Sequence, residues 1–242
     1  MINILIPLAG SNQFFNEAEY PYPKPLIEIN NKTMIEHVIN NFDTIKEEKK
    51  FIFVINSSDC KKYHLDNVLN ILTNNNCEII KIDHQTKGAV CSTMMAIEHI
   101  NNDDKLIIAN ADQIFEDNIA DIIFNFKNSD GAVITFNSIH PRWSYIKLDE
   151  DNNIVETAEK RPLSNNAIAG FFYFKNGKDF IECAMSMIQK DSNVNGLYYI
   201  SPTFNEMVLL NKKLTIYKID NDKYHTFYTP QKIQEYERLI QC

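Results

Sequence analysis

The sequence predicts an α/β fold: a single domain on a mixed, mainly parallel central sheet flanked by helices. Three observations predict it. Short apolar runs alternate with stretches of helical spacing through the first half. The second half changes to strand pairs separated by turns, then closes with helices. The chain has 242 residues, 44% apolar and 23% charged, which suits one packed globule.

The elements follow in order. "INILIPLA" (2–9) is a continuous apolar run, as in a strand buried on both faces. In 33–45, Met34, Ile35, Val38, Ile39 and Phe42 recur at helical spacing, with Thr33 as N-cap. Strands at 50–55, 77–82 and 105–112 then alternate with helices at 58–72, 88–100 and 117–127. This βαβ rhythm implies a Rossmann-like parallel sheet. Beyond residue 130, strands or hairpin arms are expected at 131–139, 144–150, 154–161 and 168–175. Helices at 177–190 and 198–212, a strand at 214–220 and a helix at 230–240 opened by Pro230 complete the pattern. No repeat or linker divides the chain. Residues 1–130 read as a nucleotide-binding half and 131–242 as an acceptor-binding half of one domain.

Composition excludes several classes. The net charge is −8 and no Lys/Arg cluster stands out, so no nucleic-acid partner is expected. No apolar run reaches the roughly 20 residues that span a bilayer, and no signal peptide is visible, so the expected location is cytoplasmic without a membrane partner. The five cysteines are scattered without a CxxC and read as reduced structural thiols. The six histidines lack zinc spacing. Oligomeric state is not readable. The many asparagines are most simply the mark of an AT-rich coding sequence.

In doubly wound sheets, ligands bind beyond the carboxyl ends of the strands. There the first strand runs into "PLAGSNQFF", where Gly10 permits close backbone approach to a ligand. Next, Pro21, Pro23 and Pro25 stiffen the chain around Lys24, a fixed counter-charge for phosphates or a plain surface lysine. "HQTKGAV" puts Gly88 and Ala89 at a helix N-terminus, which attracts phosphate or base oxygens or is simply capped. "KLIIANADQ" ends on Asp112, placed either to hold Mg²⁺ or to cap a turn. "AEKRPLS" sets Lys160 and Arg161 beside a later strand. Among the aromatics Trp143, Phe171, Phe172, Tyr173, Tyr198 and Tyr199, strand core is the expected role, with Trp143 in a turn as the exception.

The series "PLAG", "PKPLIEINNKTMIEHVI", "TKGAVCSTMMAI", "NADQ", "SYIKLDEDNNIVETAEK", "GFFYF" and "YYISPTFNEM…TP" resembles the nucleotidyltransferases that make nucleotide sugars and related activated head groups. The resemblance covers essentially the whole chain. It implies a GT-A-like version of the fold. It implies Mg²⁺-dependent transfer of a nucleoside monophosphate from an NTP to an acceptor phosphate, with release of pyrophosphate. Within the family it points to CTP as donor and L-glutamine phosphate as acceptor.

It also implies residue roles. Leu8, Ala9, Gly10 and Ser11 would contact base and ribose, and Gln85, Thr86, Gly88 and Ala89 would line the base pocket. Lys24 would hold the phosphates and Asp112 the Mg²⁺. Lys160, Gly170, Arg142 and Tyr198 would attend the acceptor, with Lys160 facing its phosphate. Two departures stand out. The loop arginine of the family is replaced by Phe14. In "YHTFYTP", Thr226 takes the place of the aspartate that is the family's second metal ligand, and Tyr228 that of a glycine. Asp220, Asp222 and His225 are the nearby candidates to compensate. These changes leave room for an unusual acceptor, slow turnover or a binding protein without catalysis. "NAD" at 110–112 also loosely resembles the Asp-x-Asp metal motif of related glycosyltransferases, with Asn110 in place of an acid.

Overall fold

The computed structural model describes residues 1–10, 14–16 and 18–240. Its first half comprises β1 (Ile2–Pro7), β2 (Glu28–Ile29), β3 (Lys32–Thr33), α1 (Met34–Asn40), β4 (Lys49–Asn56), α2 (Ser57–Tyr63), α3 (Leu65–Leu72), β5 (Cys77–Ile82), α4 (Ala89–Met94), α5 (Ile97–Ile100), β6 (Lys105–Ala109), β7 (Gln113–Phe115) and α6 (Ile119–Asn125). The second half adds β8 (Gly131–Asn137), β9 (Ser144–Leu148), β10 (Ile154–Glu159), β11 (Asn166–Phe174), α7 (Gly177–Gln189), α8 (Thr203–Leu209), β12 (Leu214–Lys218), β13 (Tyr224–Thr226) and α9 (Pro230–Ile240).

The main sheet runs β10-β9-β11-β6-β1-β4-β5, with β8 also paired to β11 and β12 paired in turn to β8. Strands β6, β1, β4 and β5 are parallel, whereas β11 is antiparallel to β6. The alternating first half therefore forms the parallel part, and the second half inserts its own strand next to β6. Apolar side chains fill both faces. Ile4, Phe53 and Phe171 belong to one core, and Leu5, Ile52 and Phe172 to the other, as strand alternation requires. Phe171, Phe172 and Tyr173 are all buried, in line with the strand-core expectation.

Thr33 caps α1 as expected, its hydroxyl accepting from the Glu36 N–H at 3.3 Å. Elsewhere the structure corrects the element boundaries. The expected helix at 58–72 is two helices, broken at His64 in the left-handed region (φ 53°). On one straight helix Leu69 would lie about 180° round from Cys60. The break lets both reach the same core. The helix expected at 88–100 is also divided, because its chain tightens at Met95 and Ala96 to bonds with Ser92 and Thr93, three residues back. Of the helix expected at 198–212, only Thr203–Leu209 forms. Pro202, which lacks an N–H, stands at its start, and the segment before it has other partners.

No helix among the described residues is long and apolar enough to cross a membrane. The four described cysteines, Cys60, Cys77, Cys91 and Cys183, are free, and Cys242 lies outside the described residues.

Candidate active site

A cleft of about 550 Å³ opens at the carboxyl ends of β1 and β6. Pro7 to Gly10 form one wall and Gln85, Thr86, Gly88, Ala89, Ser92 and Leu197 another. Lys24, Pro25 and Asn110 to Asp112 close the mouth. Leu8, Ala9, Gly10, Lys24, Gln85, Thr86, Gly88, Ala89 and Asp112 thus meet in one place, although they come from four separate stretches of sequence. Ser11 lies outside the described residues. Phe14, at the position of the family's loop arginine, is exposed, while Phe15 is buried beneath the ammonium of Lys24, 5.6 Å from it.

Lys24 owes its position to the prolines. It opens a single 3₁₀ turn, Lys24–Leu26, with Pro25 buried behind it. Its Nζ donates to Asp112 Oδ2 at 2.5 Å, and only 22% and 17% of the two side chains are exposed. A cation and an anion 88 residues apart in sequence therefore neutralise each other at the mouth.

The sheet itself delivers Asp112. The β6 chain leaves the sheet at Asn110, whose N–H donates to Gly170 O at 2.9 Å. Gly170 has φ +63°, and a Cβ there would stand 2.2 Å from Asn110 Nδ2. This is where β11 changes partners, from β9 at Ala167 to β6 at Phe171. Gly170 is accordingly the floor under Asn110, and only a residue without a Cβ fits. Gln113 Nε2 also donates to Gly170 O at 2.9 Å.

After Asp112 the chain forms β7, which pairs with β13 so that Thr226 stands opposite Gln113. The Phe227 N–H donates to Asp112 O at 2.8 Å. The "YHTFYTP" segment is thus bonded directly to the metal candidate. Burial, then the negative charge of Asp112, push the Tyr224 phenol above its ordinary range. Its hydroxyl stays protonated and donates to Gln113 Oε1 at 3.3 Å.

The second wall is held by a glycine. Gly88 has φ +105°, and a Cβ on it would lie 2.5 Å from Tyr198 O. Tyr198 N donates to Lys87 O at 2.8 Å, and Tyr198 O accepts from Val90 N at 3.1 Å. The main chain of Tyr198 therefore braces this wall, and Leu197 faces the cleft. The Tyr198 hydroxyl donates to Asp191 Oδ1 at 2.6 Å. Thr86 Oγ1 and Ser92 Oγ share a hydrogen bond of 2.6 Å across the start of α4.

Lys160 and Arg142 do not line this cleft. Lys160 occupies the left-handed region (φ 54°), and its N–H donates to Trp143 O at 3.0 Å. Its Nζ donates to Tyr199 Oη at 2.7 Å. The Arg142 guanidinium lies 3.4 Å from the Tyr228 ring centre and 5.4 Å from that of Trp143. Arg161 turns away to pair with Glu156 at 3.0 Å.

Sequence reasoning missed Glu159. Its carboxylate accepts from Ser144 Oγ, and from Ser201 Oγ at 3.0 Å. Burial raises its pKa, against the pull of those hydrogen bonds and of the Lys160 charge. The signal was present as the acid before Lys160 in "AEK", but the serines that hold it arrive from strands and loops far away in sequence.

Among the described residues, no group of three or more His, Cys, Asp or Glu side chains could hold a metal ion. Of the candidates to replace the missing aspartate, His225 bonds to Glu116 Oε1 at 2.8 Å. Asp220 and Asp222 lie at the 3₁₀ turn Asn221–Lys223 before β13. The cleft thus offers Asp112 as its carboxylate, whereas Thr226 pairs with Gln113 and lines a separate hollow. Mg²⁺ commonly takes one or two carboxylates and completes its shell with substrate phosphates and waters, so this donor set fits it.

Comparison with known proteins identifies the family and the fold. The chain is 29% identical to the bifunctional protein GlmU of Methanococcus aeolicus over 72% of this chain and 44% of that protein. It is 26% identical to GlmU of Methanocaldococcus jannaschii over 72% of this chain and 40% of that protein. It spans less than half the length of these relatives. Its fold matches a nucleoside-diphosphate-sugar pyrophosphorylase from Vibrio cholerae with a TM-score of 0.86 at 22% identity, covering 97% of this chain and 99% of that one. It also matches the inositol-1-phosphate CTP transferase of T. maritima with a TM-score of 0.78 at 12% identity, covering 99% and 94%. The sequence pattern of the nucleotidyl transferase family matches residues 20–207, and the chain belongs to that family.

Proposed function

We propose that the chain transfers a nucleoside monophosphate from a nucleoside triphosphate to a phosphorylated acceptor. The Lys24–Asp112 pair at the mouth of a nucleotide-sized cleft, on the carboxyl edge of a parallel sheet, carries this reading. An oxygen of the acceptor phosphate attacks the α-phosphorus, the bond from that phosphorus to the bridging oxygen breaks, and pyrophosphate leaves. The acceptor phosphate is already an anion at neutral pH, so the step needs no general base. What it needs is two anions held in line while charge moves to the leaving pyrophosphate.

The residues divide this work. Leu8 to Gly10 and Gln85 to Ala89 hold the base and ribose. Lys24 leaves Asp112 and takes the triphosphate. Lys160 holds the acceptor phosphate. Asp112 would hold Mg²⁺, which neutralises phosphate charge when bound. The donor is CTP and the acceptor L-glutamine phosphate, giving CDP-L-glutamine. This substrate pair rests on the overall resemblance of the chain to cytidylyltransferases that serve phosphoramidate modification of capsular polysaccharide.

The test is pyrophosphate release with Mg²⁺, each NTP, and a panel of L-glutamine phosphate, phosphocholine and sugar 1-phosphates. Release with CTP and L-glutamine phosphate alone supports the full reading. Release with a sugar phosphate keeps the transferase and discards this acceptor. Silence from folded protein that binds nucleotide overturns the catalytic reading.

A further inference from the structure

A second hollow lies at the opposite end of the strands that lead to the cleft. Strands β1 and β6 end beside the cleft, whereas their first residues, Ile2 and Lys105, line this hollow of about 370 Å³. The two share no lining residue. Its volume falls within the range of small-ligand sites.

The lining has an apolar part and a positive part. Ile45, Ile123 and Phe124 supply apolar surface, and Phe124 is left 65% exposed. Around them stand four lysines, Lys46, Lys105, Lys127 and Lys175, against a single carboxylate, Glu47. That carboxylate is already engaged. It accepts from Lys105 Nζ at 2.6 Å and lies 3.6 Å from the terminal ammonium of Met1. Lys175 has only a long contact, 4.0 Å, with Asp130. The Lys127 ammonium rests over the Phe124 ring, 4.1 Å from its centre. Among the described residues no carboxylate lies within ion-pairing distance of Lys46 or Lys127. In a chain of net charge −8, this wall is positive.

Tyr173 is the second, independent observation. It is 2% exposed, packs against Phe126 at 5.5 Å and lines the same hollow. Among the described residues its hydroxyl has no hydrogen-bond partner. Buried hydroxyls normally have one, because an unmade bond costs free energy. Burial, then the charge of Glu47, push its pKa up to about 12, so the group is a neutral donor.

The cations are all lysines. A planar carboxylate is matched by the arginine fork, whereas an ammonium is a point charge that meets phosphate oxygens from many directions. Several such charges around one hollow suit a group with more than one negative charge. The apolar bed suits the rest of the molecule. We infer that this hollow is a second binding site, for an organic phosphate with an apolar body, its phosphate held by Lys46 and Lys127 and one of its oxygens accepting from Tyr173. The site is separate from the cleft and does not depend on the transferase reading.

The probe is 1-naphthyl phosphate, titrated into the full chain by calorimetry without metal or nucleotide. Inorganic phosphate and 1-naphthol, each lacking one half of the probe, are the controls. Wild-type protein should bind the probe roughly tenfold or more tightly than either control. Replacing the two exposed lysines together, Lys46→Gln with Lys127→Gln, should weaken it by roughly tenfold or more, as loss of hydrogen bonds to a charged group does. Tyr173→Phe, which removes only the hydroxyl, should weaken it by roughly two- to tenfold. Lys24→Met, which strips the cleft of its lysine, should leave it unchanged. Failure of the probe to bind, equal binding of a control, or full affinity in the double lysine variant or in Tyr173→Phe would overturn the site. Loss of binding in Lys24→Met would place the probe in the cleft and overturn it as well.

Discussion

The contact between Lys24 and Asp112 makes a prediction whose sign is unusual. At 2.5 Å and an effective dielectric near 20, the bare attraction is about 7 kcal/mol. Desolvation offsets most of this, because both side chains are largely enclosed. Exposed pairs contribute about 0–1 kcal/mol and breaking buried ones costs about 3–5. A net coupling of about 1–3 kcal/mol is expected here, measurable by a double-mutant cycle of urea unfolding with Lys24→Met and Asp112→Asn. A triphosphate arriving without metal must detach Lys24 from Asp112 and so meets this coupling as a penalty. Asp112→Asn removes the penalty. It should tighten binding of metal-free CTP, measured by calorimetry in EDTA, by roughly 5-fold to 150-fold, the equivalent of 1–3 kcal/mol. The same variant should lose about a hundredfold or more in kcat/KM for pyrophosphate release with Mg²⁺. Lys24→Met should weaken metal-free CTP and also slow turnover. If Asp112→Asn weakens metal-free CTP as Lys24→Met does, the exchange of partners at Lys24 is refuted.

Two further predictions concern the walls. Gly88→Ala places a Cβ 2.5 Å from main-chain Tyr198 O at φ +105°, so neither partner can yield cheaply. It should cost about 2–4 kcal/mol in urea unfolding and weaken CTP binding, whereas Gly10→Ala, with nothing within 4 Å, should cost under about 1 kcal/mol. Glu159→Gln should change the pH dependence of stability. Because folding raises the Glu159 pKa above 4.5, the carboxyl favours the folded state fully below that value and loses this contribution as pH rises through its folded pKa. The melting temperature of wild type relative to Glu159→Gln should therefore fall as pH rises from about 4 to neutrality, and a flat difference would rule out the buried carboxyl as its source.

Much of the fold was legible because the parallel half follows simple periodicities. Apolar runs such as 2–9 and 50–55 became strands with buried side chains on both faces, and the carboxyl-edge rule pointed to the region where the cleft opens. What periodicity cannot see is pairing between distant segments. The β7–β13 ladder joins three-residue strands that carry no period of their own. The 198–202 segment reads as helical from its apolar spacing, yet the main chain of Tyr198 bonds to Lys87 and Val90. Glu159 was hidden for the same reason: its partners are Ser144 and Ser201, neither of which looks functional alone. The left-handed residues show a second limit. Asn30, Asn31, Asn74, Asn75, Asn152, Asn195 and Asn211 all have positive φ, in a chain with only 6 glycines. Whatever its coding origin, about a quarter of the asparagine does the conformational task usually given to glycine, because its short polar side chain tolerates that region.

The insertion of β11 beside β6 has a consequence for how the protein is made. Residues 105–112 leave the ribosome early, but the strand that covers their open edge is not complete until residue 174. The β13 segment that anchors Asp112 comes some fifty residues later still. At synthesis rates of about 5–20 residues per second, the nascent chain carries an unpaired apolar strand edge for several seconds. Chaperone dependence and aggregation during expression should thus concentrate on β6. A stalled or truncated chain ending near residue 130 would be the hazardous product, since it contains the parallel strands and lacks the strand that seals their edge.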